Sequence, residues 1–124
     1  MNERIIIPVM EEAGESSRLS EHFGRAPLFA IAEITADGEI GALRFQPNRS
    51  EHFGGFGRPP DILIALNPNV VITFGMGPRA LRRFQAEGIA VMQANSGILS
   101  EVLQAFKQDE LLELTEGCRD ARHP

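Results

Sequence analysis

Two apolar runs constrain this chain more than any other feature of its sequence. They are RIIIPVM at 4–10, which is apolar after its first residue, and VVITF at 70–74. Short continuous runs rich in β-branched residues are typical of strands that are covered on both faces. The sequence therefore predicts a central sheet with helices packed against both of its sides.

The segments around these two runs predict the element order β-β-β-α-β-α-β-α. Further strands are expected at 28–34, 39–45 and 89–94, and helices at 59–66, at 79–87 and after residue 96. Asp37-Gly38 predicts a tight turn, so the second and third strands form a hairpin. Pro59 and Pro78 mark helix starts, Gly88 marks a helix end, and Ser96 is the expected N-cap of the last helix.

Connection rules turn this element order into a topology. The α-β-α-β half forms right-handed parallel crossovers, which places helices on both faces of the sheet. We therefore expect a three-layer α/β/α fold around a five-stranded mixed sheet. The expected strand order is 3-2-1-4-5, with strand 2 antiparallel to the others.

Length and composition limit the classes of function. The 124 residues suit one domain, here placed at 1–112, followed by a flexible tail at 113–124. The net charge is −5, the basic residues are scattered, and Tyr and Trp are both absent, which argues against a nucleic-acid-binding surface. A single cysteine excludes an internal disulfide. With no apolar run of membrane-spanning length and no signal peptide, we expect a soluble cytoplasmic protein without membrane contacts.

The sequence SEHFG occurs twice, in SEHFGRAP after strand 1 and in SEHFGGFGRPP after strand 3. We call residues 20–26 the first arm and residues 50–58 the second arm. A third loop, GMGP at 75–78, follows strand 4. Because ligands bind beyond the carboxyl ends of strands in such sheets, all three loops are predicted to meet at one rim.

The GMGP turn has the features of an anion site. Glycines at 75 and 77 allow close approach of the backbone to a ligand, and a helix that begins at Pro78 offers free N–H groups to an anion. The positive charge of Arg79 in the first turn interacts unfavourably with the positive end of the helix dipole, unless a bound anion offsets it. The alternative is a tight strand–helix connection with a solvated arginine.

Taken together, SEHFGRAPLFAI, FGGFGRPPDIL and VVITFGMGPRALRRFQAEGIAV resemble the dinitrogenase iron–molybdenum-cofactor biosynthesis family, over roughly 4–112. The resemblance implies a ribonuclease-H-like motif. It also implies a protein that binds or carries an iron–sulfur or iron–molybdenum-type cluster, or holds none when isolated. Metallocluster donor or acceptor proteins would be its partners.

The three loops and the resemblance together supply the candidate site. The expected cofactor-binding residues are His22, Phe23, Gly24, Arg25, His52, Gly75, Met76, Gly77, Pro78 and Arg79, and the candidate metal ligands are His22, His52 and Cys118. Four of these residues also have a plainer, non-functional interpretation. His22 would organise its loop, His52 would be a solvated loop residue, Cys118 a free thiol and Met76 core filler.

Three classes of function remain open. The first is a non-catalytic carrier or assembly factor for a metallocluster. The second is a hydrolase or nucleotide-binding enzyme, but ribonuclease-H-like enzymes hold magnesium through carboxylates on central strands, and neither RIIIPVM nor VVITF has one. A GxxxxGK[ST] phosphate loop is also absent. The third is a small regulatory module that binds another anion. The sequence favours binding over catalysis.

Overall fold

In the part of the chain that the structure describes, a six-stranded mixed sheet flanked by three helices forms the framework. The structure is a computed structural model and describes residues 2–49 and 58–115. The strands are β1 (Glu3–Val9), β2 (Leu28–Ile34), β3 (Ile40–Pro47), β4 (Val70–Thr73), β5 (Ala90–Gln93) and β6 (Leu112–Glu113). The helices are α1 (Pro59–Ile64), α2 (Pro78–Ala86) and α3 (Leu99–Lys107).

The sheet order is β3-β2-β1-β4-β5-β6. β1, β4 and β5 run parallel, β2 is antiparallel to both of its neighbours, and β6 is antiparallel to β5. The expected order 3-2-1-4-5 is confirmed, but the expected number of five strands is wrong. The sixth strand has only two residues, Leu112 and Glu113, and both are exposed. So short a segment carries no alternating pattern from which a strand can be predicted.

The helices divide between the two faces of the sheet, as a three-layer fold requires. On one face α3 buries Leu99, Val102 and Leu103 against side chains of β1, β2 and β4. On the other face α1 and α2 bury Leu63, Leu81 and Phe84. Residues of β1 alternate between these cores, with Ile5 and Ile7 facing α3 and Ile6 facing the other side. A strand covered on both faces explains the uninterrupted apolar run.

The two longer helices begin differently. α2 begins at Pro78, as predicted, and Gly77 is its N-cap. The expected Ser96 cap of α3 is wrong, because Ile98 is the N-cap and makes no side-chain capping bond. Instead the backbone carbonyls of Glu15 and Ser17 accept hydrogen bonds from the first-turn N–H groups of Ser100 and Leu99. A distant loop therefore satisfies these N–H groups, and the Ser96 hydroxyl accepts instead from the N–H of Ile98, which precedes the first turn.

The three helices contain six, nine and nine residues. A span across a bilayer needs about 20 apolar residues in a helix. Within the described residues, no helix reaches the length and apolarity of such a span. Most of the predicted tail, residues 116–124, lies outside the described residues, so the domain boundary stays a prediction.

Candidate functional site

An open cleft of about 1030 Å³ lies where the loops after β1 and β4 meet the first turns of α1 and α2. The first arm, the start of α1, the GMGP turn and one side of α2 all line it. The described lining residues are Glu21, His22, Phe23, Gly24, Arg25, Arg58, Pro59, Pro60, Asp61, Phe74, Gly75, Met76, Gly77, Arg79, Ala80 and Arg83.

The structure brings most of the proposed site residues together in this cleft. His22, Phe23, Gly24 and Arg25 of the first arm lie in the same cleft as Gly75, Met76, Gly77 and Arg79. Pro78 is partly buried in the first turn of α2 and is not among the lining residues. His52 and Cys118 lie outside the described residues, so their roles as ligands stay predictions.

Hydrogen bonds of Ser20 hold the start of the first arm in place. The Ser20 hydroxyl donates to the His22 carbonyl at 3.0 Å and accepts from the His22 N–H at 3.2 Å. The Ser20 N–H donates to the carbonyl of Pro8 at 2.9 Å, which ties the arm to the end of β1. This serine–histidine turn fixes the backbone at His22 and leaves the histidine exposed at the cleft.

Phe23, the next residue of the arm, belongs to the hydrophobic core. Its ring centroid lies 5.9 Å from that of Phe29 and 5.7 Å from that of Phe84, and it is edge-on to Phe84. Only 5% of Phe23 and 4% of Met76 is exposed, and both belong to the same apolar cluster. These two residues therefore form the apolar floor of the cleft, where aromatic edge-to-face contacts add to burial.

The GMGP turn presents open backbone to the cleft. The buried Thr73 hydroxyl donates to the carbonyl of Gly75 at 3.2 Å and so holds the turn to the end of β4. Gly77 has φ −63° and ψ 159°, which any residue can adopt. A Cβ at Gly77 would have no atom within 4 Å. Neither backbone strain nor crowding by the described residues therefore requires glycine at this position.

Positive charge dominates the cleft. Among its described lining residues, four are arginines and two are carboxylates, Glu21 and Asp61. Arg83 forms ion pairs with Asp61 at 3.1 Å and with Glu87 at 2.7 Å. The hydrogen bond to Glu87 is the main cause that raises the pKa of Arg83 above the usual arginine value. Within residues 2–49 and 58–115, the other three arginines form no ion pair: Arg25, Arg58 and Arg79. Their guanidinium groups are exposed and available to an anion.

Sequence reasoning missed the contribution of α1 and part of α2. Arg58 and Asp61 flank the proline pair that opens α1, and nothing in the local pattern shows that α1 faces the first arm. Arg83 had a usable signal, because it follows Arg79 by four residues and so lies on the same helical side.

The described part of the chain contains no group of three or more His, Cys, Asp or Glu side chains arranged to hold a metal ion. Among the described lining residues, His22 supplies the one imidazole, and the other ionisable side chains are guanidinium and carboxylate groups. What this arrangement can do is attract an anion and hold it by hydrogen bonds over an apolar floor.

One sequence relative and two solved structures are similar to this chain over most of its length. A relative from Methanocaldococcus jannaschii, an uncharacterised protein, is 33% identical over 110 residues and covers 87% of this chain and 88% of its own. The apo form of the orange protein from Desulfovibrio gigas has a TM-score of 0.77 at 23% identity, covering 92% of this chain and 94% of that one. A NifB-type protein from Thermotoga has a TM-score of 0.72 at 27% identity, covering 95% and 98%.

A family model described as dinitrogenase iron-molybdenum cofactor matches residues 3–109, which is most of the chain and includes every described residue of the cleft. This chain therefore belongs to the dinitrogenase iron–molybdenum cofactor family.

Proposed function

We propose that this protein is a non-catalytic carrier or assembly factor that binds an anionic metallocluster in the cleft. The cluster is its cargo and is of the iron–sulfur or iron–molybdenum type, or a precursor of one. Membership of the cofactor family supports this cargo class. Metallocluster donor and acceptor proteins are the partners that such a carrier would need.

One observation carries the proposal. Three arginines surround the apolar floor of the cleft, and none of them forms an ion pair with another described residue. Arg25, Arg58 and Arg79 come from three different elements and line one cleft. The protein as a whole is acidic, with a net charge of −5, so the positive charge of the cleft is opposite in sign to the net charge of the protein. Guanidinium groups over an apolar surface suit a large anion with a weakly hydrated body.

His22 gives the cleft a group that can bind iron directly. Its imidazole is exposed at the cleft, and the Ser20 turn fixes its backbone before any ligand arrives. A neutral imidazole is a good ligand for iron. In the proposal, the arginines supply most of the affinity through charge and His22 supplies a single coordinate bond.

A charge reversal at the cleft tests the proposal. Wild-type protein and Arg79→Glu are incubated anaerobically with iron and sulfide, desalted, and analysed for iron and visible absorption. The reversal should lower retained iron several-fold, because an attractive charge at the cleft becomes repulsive. Arg82→Glu is the matched control, since Arg82 lies on the same helix and is exposed but does not line the cleft.

Equal loss of iron in both variants would show a general charge effect and contradict the cleft as the site. No iron in the wild type would contradict the carrier function itself. If the wild type instead retains sulfate or a nucleotide in an Arg79-dependent way but no iron, the small anion-binding module becomes the better description.

A further inference from the structure

Asn48 is a buried polar residue beside the cleft that the proposed function does not use. It follows the last residue of β3, is 6% exposed, and does not line the cleft. Its side-chain amide donates to the carbonyl of Gly24 at 3.1 Å and to the carbonyl of Ala26 at 2.8 Å. Its backbone N–H donates to the carbonyl of Pro27 at 3.0 Å.

These bonds bracket Arg25. The amide NH₂ group of asparagine has two hydrogens, and here they reach the carbonyls on either side of one residue. Ala26 is fully buried, so this end of the arm cannot shift without disturbing the core. One side chain from the end of β3 therefore fixes the backbone from which the Arg25 guanidinium extends into the cleft.

We propose that Asn48 is a positioning residue of the cleft, which sets the anion affinity by holding the backbone on both sides of Arg25. This inference rests on the proposed function, because it assumes that an anion binds in the cleft. Asn48 lies two residues before the second arm, so the end of β3 from which the second arm departs is the same point that holds the first arm.

A double-mutant cycle with sulfate as the probe tests this role. The affinity for sulfate is measured by NMR shift titration for wild type, Asn48→Leu, Arg25→Ala and the double variant. Asn48→Leu nearly keeps the size of the side chain, adds no charge, and removes both donors to the carbonyls of Gly24 and Ala26. We expect it to weaken sulfate binding about tenfold, as for the loss of one charge-assisted hydrogen bond. In the Arg25→Ala background the same change should cost less than about twofold, because the group that it positions is gone.

Two further variants separate positioning from stability. Asn48→Ser keeps a single donor and should lose affinity to an intermediate extent, which keeps the test usable if Asn48→Leu does not fold. Ser17→Ala is the matched control. Ser17 is also a buried polar residue that organises a loop, through bonds to Ala13 and Gly14, and that loop does not line the cleft. It should lower the free energy of unfolding but leave sulfate affinity unchanged.

Additive losses in the cycle, or an equal loss of affinity in Ser17→Ala, would overturn the positioning role. So would a wild type that binds no sulfate in the cleft. The carrier function is tested separately by iron retention. If the effects of the Asn48 and Arg25 changes are coupled but the protein retains no iron, Asn48 keeps its positioning role and the metallocluster is excluded as the cargo.

Discussion

At the residue scale, the histidine and the phenylalanine of the first arm do different things. Phe23 is 5% exposed and packs between two other phenylalanines, whereas its neighbour His22 is exposed at the cleft. The conformation of the arm explains the split, because the Ser20 turn and the Asn48 amide fix its backbone on both sides of Phe23. The His-Phe-Gly sequence therefore combines an anchor in the core with a polar group at the surface.

Replacing these two neighbours should separate stability from binding. Phe23→Ala removes a buried ring and leaves a cavity, so we expect a loss of roughly 3–5 kcal/mol in the free energy of unfolding. His22→Ala removes an exposed side chain and should change it by less than about 0.5 kcal/mol. Urea unfolding of both variants and of the wild type measures these changes in the free energy of unfolding. A small effect of Phe23→Ala would mean that the ring is not part of the core.

At the element scale, local sequence rules predicted the framework well where each element carries its own signal. The apolar runs of β1 and β4, the Asp37-Gly38 turn and the proline start of α2 are local, and all are found. The α3 cap was missed because its partners come from a loop about 80 residues away in the chain. The same limit hid β6, which exists only through its pairing with β5.

The β2–β3 hairpin shows why alternation alone misassigns a face. Alternation from Ile40 predicts that Ala42 and Arg44 share its side of the sheet. The pairing register shifts between Glu33 and Ile34, so that Gly41 is an extra residue in β3. Leu43 consequently joins Ile40 in the core under α3, while Ala42 is exposed. A β-bulge reverses the alternation beyond it, and the sequence carries no firm sign of it.

The end of α2 gives a prediction about backbone conformation. Gly88 has φ +74°, and the N–H groups of Gly88 and Ile89 close the helix onto the carbonyls of Gln85 and Phe84. Gly88→Ala should lower the free energy of unfolding by about 1 kcal/mol, because alanine is strained in this region. Gly97→Ala is the control. Gly97 has no positive φ, and a Cβ added there would have no atom within 4 Å, so this change should be neutral or slightly stabilising. Equal losses in thermal or urea unfolding would contradict the argument.

The loop between β1 and the first arm gives a prediction about pH. Arg18 donates to the Glu11 carboxylate from its side chain at 2.9 Å and from its backbone N–H at 2.6 Å. The side-chain hydrogen bond from Arg18 is the main cause that lowers the Glu11 pKa below the 4.5 of an unperturbed glutamate. A carboxyl whose pKa is lower in the folded state contributes stability above its unfolded pKa, and loses it as the pH falls through the folded value.

An NMR titration of the Glu11 carboxylate should therefore have its midpoint below 4.5, and Arg18→Ala should raise that midpoint. Because the pair is exposed, 1 M salt should shrink the difference between the two proteins. A midpoint in the wild type that does not move with the Arg18 change would show that the contact does not persist in solution.

At the scale of the whole molecule, topology predicted where the cleft lies better than composition predicted which side chains line it. The loops after β1 and β4 meet because those strands are parallel neighbours, and this follows from the element order. The charge of the cleft also depends on residues at the start of α1. Only tertiary packing brings α1 beside the first arm, so this contribution does not follow from the element order. An acidic protein thus carries a basic cleft formed by the first arm and two helices.

Locating the cluster on the folded protein tests the central claim most directly. Protein reconstituted anaerobically with iron and sulfide is compared with the apo-protein by amide NMR, since an iron cluster shifts and broadens the signals of nearby nuclei. We predict that signals of Gly24, Gly77 and Arg79 change while those of Val102 and Leu103, which lie in the core under α3 on the opposite face, stay sharp and unshifted. Bound iron with unchanged signals at the cleft would contradict the account.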